Sequence, residues 1–311
     1  MSIFVAGHKG LVGSAVVRQL RSQGQEVLTA DRKSVDLRDP ETTKQLLHDT
    51  RPDSAILAAA RVGGIQANID APVELLVENL QIEVSFLTAA YEVGIKRVCF
   101  LGSSCIYPRE SPQPIKENYL LSGPLEPTNS AYALAKLAGI ELVQAYRREY
   151  GARWISVLPG NLYGPGDNFN LRNSHVVPAL IRKFHEAVMR GDDSVSMWGS
   201  GAARREFLHA DDAASGILFA LQEYDSDEPL NIGAGYDITI AELAKLIADV
   251  VGFEGEILWD VSRPEGVPKK LLDSSKLFEL GWAPSIPLRE GIESTYAWYR
   301  KAHDGGHSIR E

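Results

Sequence analysis

Tyr132 and Lys136 stand one helical turn apart in Tyr132-Ala133-Leu134-Ala135-Lys136, and Gly102-Ser103-Ser104-Cys105 lies upstream of them. A phenol has an unperturbed pKa of roughly 10, too high for easy proton exchange at neutral pH. A lysine four residues on shares its helical face, and the positive charge favours the phenolate. Ser103 supplies a hydroxyl to hold the carbonyl oxygen that Tyr132 would protonate, and Cys105 adds a thiol. Such a set suits proton and hydride chemistry at a ketone. The Tyr-xxx-Lys spacing arises often by chance, so its weight depends on the elements around it.

Those elements alternate. Apolar runs at Ile3–Ala6, Glu26–Thr29, Ser54–Ala58, Arg97–Leu101 and Trp154–Leu158 have the length of strands. Helical periodicity fills Gly10–Gln23, Pro40–His48, Pro72–Val93 and Ala131–Tyr150 between them. Strands alternating with helices predict βαβ units in a doubly wound parallel sheet of the Rossmann type, covered on both faces. After Pro159 the pattern changes. Gly160–Asn173, rich in Gly, Asn, Pro and Asp, reads as an exposed loop. Helices are expected over Val176–Met189, Ala213–Gln222, Ile240–Val251 (N-capped by Thr239), Asp273–Leu280 and Leu288–Lys301, with a short strand at Leu230–Gly233. The polar tail from Ala302 is expected to be disordered. The predicted organisation is an α/β dinucleotide-binding domain over residues 1–159, to which 206–232 returns. A smaller C-terminal α/β substrate lobe would comprise 160–205 and 233–311.

The balance of 32 Lys and Arg against 41 Asp and Glu, a net charge of −9, argues against a nucleic-acid binder. Cys99 and Cys105 are the only cysteines, which excludes a disulfide framework and suits reduced thiols in a cytoplasmic protein. The chain enters its first strand almost at once and shows no signal peptide and no run long enough to span a membrane. Seven histidines show no ligand spacing, so no metal is expected.

Gly7-His8-Lys9-Gly10-Leu11-Val12-Gly13 follows the first strand and opens the first helix. Glycines there allow a tight turn and close approach of a pyrophosphate, whose charge the helix N-terminus favours. The spacing is GxxGxxG rather than GxGxxG. At the end of the second strand, Asp31 suits the ribose hydroxyls of NAD, whereas Arg32 and Lys33, with Lys9 from the loop, suit the 2′-phosphate of NADP. The balance favours NADP(H). Asp36 and Leu37 would flank the adenine, and Ala58-Ala59-Ala60 ends the third strand beside the cofactor.

With these residues in place, the chain resembles the extended short-chain dehydrogenase/reductases that modify nucleotide sugars, and within them the GDP-L-fucose synthases. The resemblance rests on the Ala58–Ile65 segment, Phe100-Leu101-Gly102-Ser103-Ser104-Cys105-Ile106-Tyr107-Pro108 and Asn161-Leu162-Tyr163-Gly164-Pro165. It rests also on Asn173-Ser174-His175, Trp198-Gly199-Ser200-Gly201 and Arg205-Glu206-Phe207-Leu208-His209, and it runs from residue 1 to about 300.

The resemblance implies 3,5-epimerisation and NADPH-dependent 4-reduction of GDP-4-dehydro-6-deoxy-D-mannose to GDP-L-fucose by a homodimer. Cys105 is then the base and His175 the acid that invert C3 and C5. Ser103, Tyr132 and Lys136 serve the reduction, Lys136 lowering the phenol pKa and holding the cofactor's ribose, with Ser103 also beside the cofactor. Taken alone, Cys105 would be an ordinary buried thiol and His175 a loop residue bonded to backbone. Leu101, Gly102, Pro159, Asn161, Leu162 and His175 join the cofactor contacts. Lys183, Trp198, Arg205 and Glu265 fall on substrate positions, Glu265 where the family usually has Asp and Lys183 where some members have Arg. Arg182, Arg204, Lys269 and Lys270 are weaker candidates for the diphosphate. The rival readings are another nucleotide-sugar epimerase or dehydratase, or a non-catalytic dinucleotide binder. A dehydratase would want an acidic pair near Ser103, where this chain has Cys105.

Overall fold

The computed structural model describes residues 1–171, 174–262 and 267–305. Its first half runs β1 (Ser2–Ala6), α1 (Leu11–Ser22), β2 (Glu26–Leu28), α2 (Pro40–Thr50), β3 (Ser54–Leu57), α3 (Ile65–Asp70), α4 (Pro72–Val93), β4 (Arg97–Leu101), α5 (Ser130–Tyr150) and β5 (Ile155–Pro159). The second half continues with β6 (Leu162–Tyr163), α6 (Val176–Arg190), β7 (Ser194–Trp198), β8 (Arg204–Arg205), β9 (Leu208–His209), α7 (Ala210–Glu223) and β10 (Leu230–Ile232). It closes with β11 (Ile238–Thr239), α8 (Ile240–Val251), β12 (Glu256–Asp260), β13 (Lys269–Lys270), α9 (Ser275–Glu279) and α10 (Leu288–Asp304).

Six parallel strands form the main sheet in the order β10-β5-β4-β3-β1-β2. The strand order reverses between β1 and β3, and a crevice opens there at the carboxyl ends of the strands. Each strand is apolar on both sides because each face is covered. Ala15, Val16 and Leu20 of α1 and Ile217 and Leu221 of α7 pack on one face. Leu47 of α2, Phe86 and Leu87 of α4 and Ile140 and Val143 of α5 pack on the other. Burying side chains of this size stabilises the fold by about 1.5–3 kcal/mol each. A third core, centred on Phe184, Ile247 and Tyr299, joins α6, α8 and α10. α8 begins at a reciprocal cap, as the sequence predicts: Thr239 Oγ1 accepts the Glu242 N–H at 3.0 Å, and Glu242 accepts the Thr239 N–H at 2.8 Å.

Three expectations need correction, and one pair of strands was not foreseen. The stretch expected as an exposed loop contains β6, paired with β9, and Tyr163 and Phe169 within it are buried. A long-range partner there overrides loop-like composition. The parallel pair β7–β12 went unpredicted, since its strands meet only through tertiary contact. The helix expected over Asp273–Leu280 starts at Ser275, because Asp273 caps the Ser275 N–H at 3.0 Å. Finally, α10 continues to Asp304 with Ala302 buried, anchored by Tyr299, whose ring lies 4.6 Å from that of Phe169.

Candidate active site

The crevice beside β1 is walled by the glycine loop. Gly7 adopts φ +82° and accepts the Gly10 N–H at 2.8 Å. A Cβ on Gly7 would stand 2.7 Å from the Ala59 nitrogen, and one on Gly13 would run into the Gly7 carbonyl oxygen. The backbone can therefore turn this tightly only without side chains. Leu11 and Val12 form the first turn of α1, whose N-terminus faces the loop with no side-chain cap on its N–H groups. That cradle fits a pyrophosphate.

Gly7, Lys9, Gly10, Arg32, Asp36, Leu37, Ala58 and Ala59 line this one cleft, as the sequence predicts. Their charges are arranged less simply. Lys9 is ion-paired with Asp31, and that contact holds the Asp31 carboxyl below its usual range. Lys33 does not line the cleft, but Arg38 and Arg61 do, and the sequence reading missed both. Arg38 grips Asp36 through Nε at 2.9 and 3.0 Å, and its guanidinium holds the Asp36 carboxyl down at about 2. Arg61 donates to Glu78 at 2.5 Å, and the same carboxylate stands 3.5 Å from Arg32 and 3.6 Å from Arg38. Arg61 also pairs with Glu74, so three guanidinium groups face three carboxylates at this end of the cleft, and a 2′-phosphate would compete with those acids for bidentate bonds. The remaining cofactor candidates lie deeper. Leu101, Gly102 and Pro159 are buried at the carboxyl ends of β4 and β5. Asn161 donates to the Glu206 carbonyl at 3.1 Å, and Leu162 begins β6.

Just past β4, the chain turns through Ser103, whose Oγ accepts the Cys105 N–H at 3.2 Å. The same Ser103 side chain hydrogen-bonds Tyr132 on the first turn of α5. Burial, reinforced by the neighbouring Cys105, pushes the Tyr132 phenol well above its ordinary value, against the pull of the Ser103 bond. Ser103, Cys105 and Tyr132 are thus brought together. Lys136 is turned elsewhere. It is 2 % exposed, its Nζ lies 3.1 Å from Glu83 Oε1 of α4 and 4.7 Å from the centre of the Phe100 ring. The activating charge expected for Tyr132 is therefore balanced by a carboxylate that the sequence reading did not notice. An acid in the core-facing stripe Leu75, Asn79, Phe86, Leu87 and Ala90 is the signal that would have exposed it.

His175 comes from the second half of the chain, as the N-cap of α6, and its imidazole makes no capping bond. The residue is exposed, yet the surrounding protein lowers its pKa below the ordinary histidine value. Arg205 in β8 is half-buried; Nη1 donates to the Arg204 carbonyl at 2.7 Å, and no carboxylate among the described residues pairs with it. Burial lowers its pKa, so an arriving anion would relieve an unfavourable charge. The weaker candidates are engaged: Arg204 with Asp237 at 2.5 Å, Lys269 with Asp237 at 2.9 Å and Arg182 with Glu186 at 2.7 Å. Lys183 donates to the Ser196 carbonyl at 3.4 Å in a recess it shares with Glu186, Arg190 and Asp192. Trp198, the last residue of β7, presents its indole to solvent at 68 % exposure. Glu265 lies outside the described residues.

The comparisons agree with this architecture. Residues 3–233 match the profile of the NAD dependent epimerase/dehydratase family. The chain is 51% identical to GDP-L-fucose synthase 1 of Arabidopsis thaliana, covering 96% of this chain and 93% of that protein. It is 45% identical to GDP-L-fucose synthase of Escherichia coli (strain K12), covering 97% of each. A GDP-L-fucose synthetase from Naegleria fowleri bound to NADP superposes with a TM-score of 0.91 at 30% identity, covering all of this chain (100%) and 96% of that one. Sheet order, glycine cradle and Ser-Tyr-Lys set therefore have one common explanation: the chain belongs to the NAD dependent epimerase/dehydratase family.

Proposed function

We propose that this chain converts GDP-4-dehydro-6-deoxy-D-mannose to GDP-L-fucose, inverting C3 and C5 and then reducing C4 with NADPH. The observation that carries the reading is the convergence of the Ser103 hydroxyl, the Cys105 thiol and the Tyr132 phenol at the carboxyl end of β4. A 4-ketone acidifies the protons on both neighbouring carbons, so a thiol beside the ketone's oxygen-binding hydroxyls stands where a base is needed. Cys105 takes the proton as thiolate, and His175 returns one to the opposite face. Protein crowding lowers the His175 pKa, and the negative charge of the substrate favours the imidazolium that this role requires.

The glycine cradle and the Arg32, Arg38 and Arg61 cluster fit NADP. When bound, NADPH supplies the hydride for C4. Tyr132 then gives its phenolic proton to the oxygen formed there, while Ser103 donates a hydrogen bond to the same oxygen. A raised phenol pKa suits this duty, because the group stays protonated until the alkoxide forms. Arg205 takes the diphosphate, and Lys183 and Trp198 lie on the substrate's side of the molecule, within a lobe formed by 160–205 and 233–311 that faces the dinucleotide domain.

Val77, Val84 and Tyr91 recur every seventh residue along α4 and are exposed, with Val73 one turn before them and Leu134 and Tyr150 exposed on α5. This stripe is the contact surface of a homodimer. No described helix is long and apolar enough to cross a membrane, in keeping with a cytoplasmic enzyme.

The reaction is tested by mixing the protein with NADPH and the keto-sugar nucleotide in heavy water. NADPH absorbance is expected to fall in step with GDP-L-fucose formation, and the product should carry deuterium at C3 and C5. Absence of NADPH consumption, or a product without deuterium at both carbons, sinks the reading.

A further inference from the structure

Glu83 has no duty in the chemistry above, yet it is among the most buried charged groups of the chain, at 1 % exposure. It projects from the core-facing side of α4 into a chamber closed by Phe100 of β4 and by α5. The chamber exists because residue 139 is glycine: a Cβ there would lie 2.7 Å from Glu83 Oε2 and collide with the Phe100 ring. Neither oxygen of Glu83 has a well-aligned hydrogen-bond donor among the described residues. The Lys136 ammonium at 3.1 Å, itself buried, offsets part of the burial of its charge, although desolvation still raises the Glu83 pKa above its ordinary value. A pair of this kind is a poor way to join two helices, since apolar side chains of similar volume would pack as well without desolvating two ions. Its placement suggests a different use. Lys136 lies one turn from Tyr132 on the same face of α5.

We propose that Glu83 is a positioning residue for the reductive half of the reaction: it holds the Lys136 ammonium at a fixed place above Phe100 and balances the charge that Tyr132 meets. The inference rests on the proposed reaction only for the role of Tyr132. The charged and titratable groups that bear on the Tyr132 hydroxyl are Cys105 from the turn after β4 and Glu83 from α4, while Lys136, one turn along α5, is engaged by Glu83. Glu83 as an anion opposes ionisation of the phenol, so it keeps the proton donor loaded while Lys136 is kept from drawing the proton off. Loss of the carboxylate leaves the ammonium unanchored and its charge unopposed.

A double-mutant cycle tests this. Glu83→Gln, Lys136→Met and the double variant are compared in two measurements: NADPH affinity by calorimetry, and the pH profile of NADPH oxidation with the keto-sugar nucleotide. In the Lys136 background, Glu83→Gln is expected to weaken NADPH binding about fivefold and to move the alkaline limb of the rate profile about one unit to lower pH. In the Lys136→Met background, the same change is expected to leave NADPH binding unmoved and to shift the limb by less, since only the direct effect of Glu83 on the phenol remains. Equal effects in both backgrounds, or a lowered melting temperature with affinity and limb unmoved, overturn the proposal. Should Glu83→Gln fail to fold, Glu83→Asp carries the test: it keeps the charge but lengthens the contact, so weakened NADPH binding confined to the Lys136 background supports the proposal and unchanged binding overturns it. The binding isotherm needs no sugar nucleotide. A wild type that ignores the keto-sugar would therefore sink the proposed reaction while the isotherms still judge Glu83.

Discussion

Glu206 Oε1 accepts the Leu272 N–H at 2.9 Å, locking the end of β8 to the chain that follows β13. Its other oxygen accepts the Ala234 N–H at 3.0 Å, so one buried carboxylate ties together three segments next to Arg205. Burial outweighs both bonds and raises the pKa of this group to about 7. The folded protein then retains a proton that the unfolded chain loses near its unperturbed value of 4.5. Stability from this group is complete below that value and lost as pH rises to about 7, by about 3 kcal/mol. The melting temperature is expected to fall between pH 5 and 8, and the slope to be shallower in Glu206→Gln. That variant also places an amide N–H₂ against a backbone N–H, which costs about 1–3 kcal/mol at pH 5.

Cys105→Ser separates the two halves of the proposed reaction. A hydroxyl has too high a pKa to act as base, so deuterium exchange at C3 and C5 is expected to fall by about 10²-fold or more. Reduction of a keto-sugar supplied already epimerised is expected to survive. Mass spectrometry of the product in heavy water reads the first and NADPH absorbance the second. Unchanged exchange would assign the base elsewhere.

Arg32 is the most exposed guanidinium of the cleft, and among the described residues its ion pair is the long contact to Glu78. Arg32→Ala is expected to raise KM for NADPH about tenfold, near 1.4 kcal/mol, and to leave KM for NADH nearly unchanged. Steady-state kinetics with both cofactors checks it. An equal effect on the two would remove Arg32 from 2′-phosphate recognition.

Gly13→Ala drives a methyl group into the Gly7 carbonyl oxygen, and both partners are backbone. The turn must open, at a cost of about 2–4 kcal/mol in stability. Calorimetry is expected to show NADPH binding lost while far-ultraviolet circular dichroism keeps its helical form. Tight NADPH binding by this variant would contradict the cradle.

Val84→Glu places a charge in the exposed stripe of α4 without touching the core. Sedimentation is expected to show a dimer for the wild type and a monomer for the variant. A wild type that sediments as a monomer at micromolar concentration sets aside the proposed interface.

Much of the framework is readable along the chain, because it follows from neighbours in sequence. The predicted span of α4 matches the structure at both ends, bounded by Pro72 and by Gly94. α8 likewise agrees, since Thr239 and Glu242 cap each other within one turn. β1, its glycine loop and α1 form one local βα unit, so the cleft at Gly7 and Gly10 could be placed from spacing alone. By contrast, β6 pairs with β9 and β7 with β12 across long separations, and their compositions resemble loops. Residue type identified the cations Arg204 and Lys269 as candidates, yet both meet Asp237, which leaves Arg205 without an acidic partner among the described residues.

The amino-acid order by itself determined the parallel sheet and the glycine-rich loop, because periodicity and glycine spacing are local properties, and it made Ser103, Tyr132, Cys105 and His175 candidates, the last two through the resemblance. Only the tertiary structure decided where charges are spent. It turned Lys136 toward Glu83, Lys9 toward Asp31 and Arg38 toward Asp36, and the first of these pairs lies in a dry chamber between α4 and α5. The reason is physical: the energy of a charge depends on its distance from other charges and on the solvent around it, and folding sets both.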